Sequence, residues 1–144
     1  NLSAVSEYQT SLGIFSVPIV FFDPSGEMPR GTREGIAQQI DIMPTVLGYL
    51  GYEKPYVAFG CDLFHTAAED TWVVNYLNGI YQYVKGDYLI QFDGKDVKGV
   101  YRFKEDKLLN NNLVNQFDCT KWVDELKAII QSYMYRMNNN QLVM

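Results

Sequence analysis

Few residues of the kinds that perform chemistry occur in this sequence, and their spacing forms no catalytic set. The chain has one histidine, His65, and two cysteines, Cys61 and Cys119, which fit neither a CxxC motif nor a zinc-ligand pattern. A nucleophile needs an activating base, and a metal centre needs several converging ligands. The sequence therefore predicts no catalytic, cofactor-binding or metal-binding residue. His65 is expected to be an ordinary loop residue and the cysteines free thiols, with a disulfide between them as the alternative.

Five other residues have suitable chemistry but a simpler expected role. Thr45 carries a hydroxyl, yet in the first turn of a predicted helix it should bond to backbone. Arg30 and Arg33 could reach an anion, but they lie in a loop rich in Pro and Gly and are expected to be solvated charges. Asp93 and Asp96 match half of a calcium-binding loop, but the later glutamate is missing, so they are expected to be turn residues.

Composition indicates a folded chain with no surface for polyanions. Of its 144 residues, 47% are hydrophobic and 15% aromatic, and the net charge is −5. No run of Lys or Arg occurs, which argues against nucleic-acid binding. No apolar run approaches the roughly 20 residues that span a bilayer, so this piece is not expected to insert into a membrane.

Two elements are predicted in the first half of the chain. The apolar run VPIVFF, residues 17–22, is typical of a strand covered on both faces in a parallel sheet. Asp41 is predicted to cap a short helix by accepting from the amides of the next turn, and Gly51 to end it in the left-handed conformation. One face of this helix is expected to be buried: Ile42, Val46, Tyr49 and Leu50.

The second half is predicted to form a four-stranded antiparallel meander packed on a helix. Turn residues such as Asp93-Gly94 separate its apolar runs, and the predicted strands are 72–76, 79–84, 88–92 and 97–103. The helix is predicted from an apolar stripe of Trp122, Leu126, Ile129 or Ile130, Tyr133 and Met137, with Asp118 or Thr120 as its cap. The tyrosines on the strands are expected to pack on this helix rather than to bind sugar: Tyr76, Tyr81, Tyr83 and Tyr88.

The short helix and the turn after it resemble the late part of the sulfatase domain, in the alkaline-phosphatase-like superfamily. That pattern is a D-I-x-P-T helix ending in glycine, followed by an F-G-x-[DS]-L turn. The matching residues are Asp41, Ile42, Pro44, Thr45, Val46, Leu47, Gly51, Phe59, Gly60, Asp62 and Leu63. Residues 16–23 resemble the strand after the family's metal-binding Asp-His pair, and residues 111–114 resemble its tail motif. The amino-acid sequence of residues 37–52 is most similar to that of the lipoteichoic acid synthase branch, the membrane-anchored phosphoglycerol transferases.

This resemblance implies that the chain is the C-terminal part of a larger sulfatase-like enzyme and is inactive alone. The implied fold class is α/β, a partial alkaline-phosphatase-like fold. It would have one or two core strands and a short helix, then a four-stranded antiparallel sheet packed on a C-terminal helix. Residues 1–65 would end the α/β core, and residues 66–144 would form the sheet-and-helix subdomain.

The resemblance also implies what the rest of the enzyme would supply. Family members act on sulfuric or phosphoric esters with a nucleophile beside a divalent metal (Mn, Mg, Ca or Zn), and both precede the strand matched by residues 17–22. The implied partner is the missing N-terminal part of the same polypeptide, with self-association as a further expectation. The parent would be anchored in the cytoplasmic membrane by helices outside this chain, with this part on the outer side.

A self-contained α+β module that binds a ligand or dimerises is the alternative, and it would need a pocket closed by this chain alone. The parent interpretation predicts an upstream nucleophile: a threonine in a transferase, or C/S-x-P-x-R in a sulfatase. Residues 17–22 should then be loosely ordered or covered by another copy, because their neighbouring strands lie elsewhere. The sheet and the last helix should hold most of the stability.

Overall fold

The computed structural model describes residues 7–143, and its main elements are two helices and a sheet. The helices are α1, Ile42–Tyr49, and α2, Thr120–Asn138. The strands are β1, Trp72–Leu77; β2, Ile80–Lys85; β3, Tyr88–Phe92; and β4, Val97–Tyr101. They form one four-stranded antiparallel sheet in the order β1-β2-β3-β4. The predicted meander and closing helix are therefore confirmed, and the chain mixes α and β structure.

Tight turns set the register of this sheet. Leu77 pairs with Ile80 across an Asn78-Gly79 loop, and both loop residues have positive φ, 51° and 84°. Asn-Gly suits such a hairpin because both residues tolerate the left-handed region that the strand twist requires. Gly79 therefore belongs to the turn and not to the second strand, where the sequence analysis placed it. The fourth strand ends at Tyr101 instead of residue 103.

The larger apolar core lies between one face of the sheet and α2. Its buried members are Tyr83, Ile90, Phe92, Val100, Val123 and Leu126. Leu126 is the centre of the predicted helical stripe and is fully buried. Tyr133 and Met137 are 45% and 40% exposed, so the buried part of the stripe ends before them. The Tyr133 ring instead meets Phe59, with centroids 5.5 Å apart.

A half-buried ion pair ties α2 to the sheet at the rim of this core. Lys85 Nζ on β2 lies 2.6 Å from Glu125 Oε1 on α2. Burial, together with the nearby Glu125 carboxylate, raises the pKa of the Tyr83 phenol. Tyr83 therefore stays neutral, and the charge at this rim is carried by the ion pair.

The opposite face of the sheet is covered by loops from both halves of the chain. Val73, Val84 and Leu89 are buried there, and Leu12, Ile36 and Leu109 are among the residues that pack on them. Apolar side chains thus pack on both faces of the sheet, and residues before and after position 65 share this second core. The predicted division of the chain at residue 65 stays a prediction.

Neither predicted cap holds the N-cap position of α2, which is Cys119 and makes no side-chain capping bond. Asp118 Oδ1 accepts a hydrogen bond from the Thr120 amide, 3.0 Å away, and from the Thr120 hydroxyl. These hydrogen bonds lower the pKa of Asp118. Thr120 itself is the first helical residue. The helix ends at Asn138, and Asn140 follows with φ 55°.

The predicted buried face of α1 is wrong for three of its four residues, although the end of the helix is as expected. Tyr49 is partly buried and its ring centroid lies 6.1 Å from that of Phe64. Ile42, Val46 and Leu50 are 39%, 38% and 70% exposed. The buried residues of the helix are Pro44 and Thr45, and the Thr45 hydroxyl binds the backbone of Asp41 and Leu63. Gly51 has φ 64°, and the Tyr52 amide donates to the Leu47 carbonyl at 2.9 Å, which closes the helix as a Schellman motif.

The predicted strand at residues 17–22 does not form. No regular structure is assigned from Ser16 to Asp23, and among the described residues no backbone hydrogen bond engages residues 17–22. A strand exists only where a neighbour supplies the ladder of hydrogen bonds, and no described segment makes such a ladder with this one. The apolar pattern alone was therefore insufficient to predict a strand here.

We expect the core under α2 to dominate the stability of the chain. Leu126→Ala should lower the free energy of unfolding by about 2–5 kcal/mol, because it removes a fully buried side chain and leaves a cavity. Leu50→Ala is the matched control, since Leu50 is 70% exposed, and it should cost less than about 0.5 kcal/mol. Urea unfolding followed by tryptophan fluorescence would measure both, and equal losses in the two variants would contradict the assignment of the core.

Candidate functional site

Asp41 is the buried charge around which the residues of the sequence motif gather. Its side chain is 1% exposed. Oδ2 accepts from the Gln38 amide at 2.8 Å, and Oδ1 accepts from the Cys61 amide at 2.9 Å. The predicted capping bond to the next turn of the helix is absent, because both oxygens are directed to backbone outside α1. Asp41 therefore joins the start of the helix to the loop at residues 59–63.

Thr45 lies one turn further along α1 and makes the second connection to the same loop. It is fully buried. Its hydroxyl donates to the Asp41 carbonyl at 2.6 Å and accepts from the Leu63 amide at 2.9 Å. The expectation that Thr45 bonds to backbone is confirmed. A hydroxyl engaged in this way is not free to attack a substrate.

Two glycines allow the helix and the loop to approach this closely. A Cβ at Gly60 would overlap the Ile40 carbonyl, and a Cβ at Gly48 would overlap the Asp62 carboxylate. We call this assembly the helix–loop junction: Asp41, Thr45 and Gly48 against Gly60, Cys61, Asp62 and Leu63. The polar side chains of this junction make their hydrogen bonds almost entirely with backbone groups. This arrangement is typical of residues that hold two segments together.

His65 lies at the edge of the helix–loop junction and is oriented by it. Its Nδ1 is 2.7 Å from Asp62 Oδ2, while Asp62 Oδ1 accepts from the Phe64 amide at 2.9 Å. The His65 side chain is 74% exposed, so its other ring nitrogen faces solvent. In residues 7–143, no group of three or more His, Cys, Asp or Glu side chains is arranged to hold a metal ion. Asp62 and His65 alone do not make a metal centre.

The cysteines do not offer a reactive thiolate. Cys61 and Cys119 are both free and partly buried. Burial raises the pKa of both thiols, and the Asp41 carboxylate adds to the effect at Cys61. Each is therefore a protonated thiol at neutral pH, which is the poorly nucleophilic form.

The charged loop residues have partners within the chain. Arg33 is exposed, and its guanidinium donates to the Thr66 carbonyl. Asp93 Oδ1 accepts from the amides of Lys95 and Asp96, and its Oδ2 lies 2.8 Å from Lys98 Nζ. These contacts lower the pKa of Asp93. Asp93 thus anchors its turn, which is the role predicted for it.

The tyrosines of the sheet are mostly packed. Tyr83 is fully buried, and Tyr88 stacks on Phe117 with centroids 4.3 Å apart. Tyr76 pairs with Tyr81 at 4.6 Å and is 61% exposed. Tyr81, Tyr83 and Tyr88 belong to the core under α2, as predicted, but the prediction is wrong for Tyr76, which lies outside that core.

Two amide side chains occupy the edges of the sheet, and the sequence analysis missed their role. Gln38 Nε2 donates to the Trp72 carbonyl at 3.0 Å, and Gln38 Oε1 accepts from the Val74 amide at 3.3 Å. Asn112 Oδ1 accepts from the Val100 amide at 3.1 Å on the opposite edge. The Gln38 backbone amide is bound by Asp41, so the helix–loop junction is connected directly to β1. Asn112 lies in the tail motif, which was the available signal.

A groove lies between the N-terminal segment and the second face of the sheet. Its volume is about 1270 Å³. Its walls include Phe15 and Phe21 on one side and Val73 and Val84 on the other, with Lys104 at the rim. The lining is mostly apolar, and the charged residues Arg33, Glu34, Glu69 and Lys104 also border it.

Comparison with known protein families, with curated proteins and with solved structures found no match to this chain. Within residues 7–143, no helix has the length and apolar character needed to cross a membrane. The helix–loop junction is therefore interpreted from its own geometry and from the sequence motif.

The close approach in the helix–loop junction can be tested with a single methyl group. Gly60→Ala should lower the free energy of unfolding by about 1–3 kcal/mol, because its Cβ would overlap the Ile40 carbonyl, which is rigid backbone. Gly35→Ala is the control, since its Cβ would meet no atom nearer than 3.7 Å. Chemical denaturation should show a change within about 0.5 kcal/mol for the control. If the Gly60→Ala variant were as stable as the unmodified chain, the loop at Gly60 would not lie tightly against the Ile40 backbone.

Proposed function

We propose that this chain is the C-terminal portion of a metal-dependent sulfatase-like enzyme of the cell envelope. The observation that supports the proposal is the coincidence between the motif and the helix–loop junction. Asp41, Thr45, Gly60 and Leu63 were selected from the sequence pattern. The Thr45 hydroxyl binds the backbone of Asp41 and Leu63, and Gly60 lies against the backbone of Ile40 and Asp41. A pattern matched by chance gives no reason for its residues to meet.

The contribution of this chain to catalysis is structural. Hydrolysis or transfer at sulfur or phosphorus needs a nucleophile and a divalent cation that stabilises the transferring group. The described residues do not fit such a cation, since Asp62 and His65 are without a third ligand nearby. In the proposed enzyme, the nucleophile and the metal ligands belong to the rest of the polypeptide, and this chain completes and stabilises the domain.

The branch of the family decides the reaction. We favour a phosphoglycerol transferase over a hydrolase of sulfuric or phosphoric esters, because the sequence of residues 37–52 resembles the transferase branch most. A threonine nucleophile in the preceding sequence would support the transferase, and a C/S-x-P-x-R motif would support the sulfatase. The parent would be held at the outer side of the cytoplasmic membrane by segments outside this chain.

One observation favours a second candidate, a self-contained ligand-binding module. The groove of about 1270 Å³ is lined only by this chain and is large enough for a small apolar molecule. Its lining is mostly apolar, which makes it a weaker basis than the helix–loop junction. Saturable binding of an apolar fluorescent probe by the chain alone, lost on Val84→Trp but not on Val143→Trp, would favour this candidate.

The proposed function predicts that turnover depends on the rest of the polypeptide. The purified chain should not hydrolyse aryl sulfate or aryl phosphate esters with Mn²⁺ or Mg²⁺, because it provides neither nucleophile nor cation site. The complete product of its reading frame should show metal-dependent turnover that EDTA removes. Turnover by the chain alone that is lost in His65→Ala would contradict the proposal, as would a complete product without metal-dependent ester chemistry.

A further inference from the structure

The first strand of the sheet lies at an end of the strand order, and its sequence makes the outer edge prone to pairing. β1 pairs with β2 on one side only. Its sequence, WVVNYL, is rich in β-branched and aromatic residues and contains no charge, proline or glycine. Short segments of this composition pair readily with strands of other molecules when an edge is open. The outer edge of β1 therefore needs protection.

A single side chain covers this edge among the described residues. Gln38 Nε2 donates to the Trp72 carbonyl at 3.0 Å, and Gln38 Oε1 accepts from the Val74 amide at 3.3 Å. One residue of a parallel neighbouring strand would bind the same two groups, the carbonyl of residue i and the amide of residue i+2. In residues 7–143, no backbone group outside the sheet binds to β1. The side-chain amide of Gln38 thus takes the place of a strand residue.

The edge at β4 is protected in several ways at once. Asn112 repeats the amide contact, since its Oδ1 accepts from the Val100 amide at 3.1 Å and its Nδ2 donates to the Lys98 carbonyl at 3.0 Å. The Leu113 amide adds a bond to the Val100 carbonyl at 2.8 Å. Lys98 also places a charge on β4, next to a shift in its register with β3. Charge, irregular pairing and a covering loop are common protections of an edge strand.

β1 has none of these additional protections. Its register with β2 is continuous over all 6 residues, and the strand carries no charged side chain. Protection of this edge therefore depends on Gln38. The backbone amide of Gln38 donates to Asp41 Oδ2 at 2.8 Å, so the helix–loop junction holds the covering side chain in position.

We propose that the side chain of Gln38 blocks pairing of β1 with the β1 strand of a second copy of this chain. A two-fold contact between identical strands is antiparallel and self-complementary, so opening the edge should give a closed dimer. The two β4 edges of such a dimer would stay covered by Asn112 and Leu113, which prevents further growth. This role of Gln38 goes beyond the proposed enzyme activity and does not depend on it.

Removal of the side-chain amide tests the proposal. At concentrations where the unmodified chain keeps one mass, Gln38→Ala should sediment with twice that mass and retain native tryptophan fluorescence, because the Trp72 carbonyl and the Val74 amide become open to a second strand. Gln91→Ala is the matched control, since Gln91 Nε2 binds Ser11 Oγ and covers no edge, and it should sediment like the unmodified chain. A folded Gln38→Ala variant without the increase in mass would overturn the proposal.

A proline distinguishes pairing at the edge from aggregation of an unfolded chain. The Val74 amide faces the outer edge, where the loss of a donor is tolerated within the strand but prevents pairing with a new one. Gln38→Ala combined with Val74→Pro should therefore return to the mass of the unmodified chain. Association that persists in the double variant would show that another surface or unfolding is responsible, and it would contradict the role of Gln38.

Hydrogen exchange gives a readout that requires no variant to fold. In the unmodified chain, the Val74 amide should exchange at least about 10-fold more slowly than the Tyr76 amide, which faces the same edge but has no partner among the described residues. Equal exchange of the two amides would show that Gln38 does not cover the edge in solution, and the proposal would then be wrong.

Discussion

The buried carboxylate of Asp41 is the constraint on which the arrangement of the first half of the chain depends. A carboxylate removed from water must be compensated, and here two backbone amides, those of Gln38 and Cys61, provide the compensation. The consequence is geometric, because the lead-in to α1 and the loop at residues 59–63 must both converge on one side chain. Gln38 then extends this constraint to the sheet through its hydrogen bonds with β1.

The parts of the fold that depend on turn residues and helix-ending residues were predictable from sequence. The four strands follow from turn residues such as Gly86, and the end of α1 follows from Gly51 in the left-handed region. The buried face of α1 was not predictable in this way, because periodicity ranks Ile42 and Val46 above Thr45, whereas the partner of the helix is a polar loop. Residues 17–22 illustrate the same limit, since a strand is decided by a neighbour and not by its own composition.

The residues of the candidate site also include some that the sequence identified and some that it did not. The motif residues were identified from sequence as one group, and they do meet, but as a joint between helix and loop. No feature of the sequence indicated the role of Gln38 at the edge of the sheet, and Asn112 was marked only by its position in the tail motif. Both roles depend on long-range contacts of an amide side chain, which leaves no periodic signal. The resulting picture is a sheet-and-helix unit whose first strand is joined to the helix–loop junction through Gln38.

A double-mutant cycle tests the central claim that Asp41 connects the helix–loop junction to the sheet. Free energies of unfolding would be measured for Asp41→Asn, Gln38→Ala and both together, with Asp41→Asn and Gln91→Ala as the control pair, because Gln91 binds Ser11 elsewhere. If Asp41 positions Gln38, the Asp41–Gln38 double variant should lose at least about 1 kcal/mol less than the sum of the single losses, while the control pair adds. Additivity within about 0.5 kcal/mol for Asp41 and Gln38 would contradict the account.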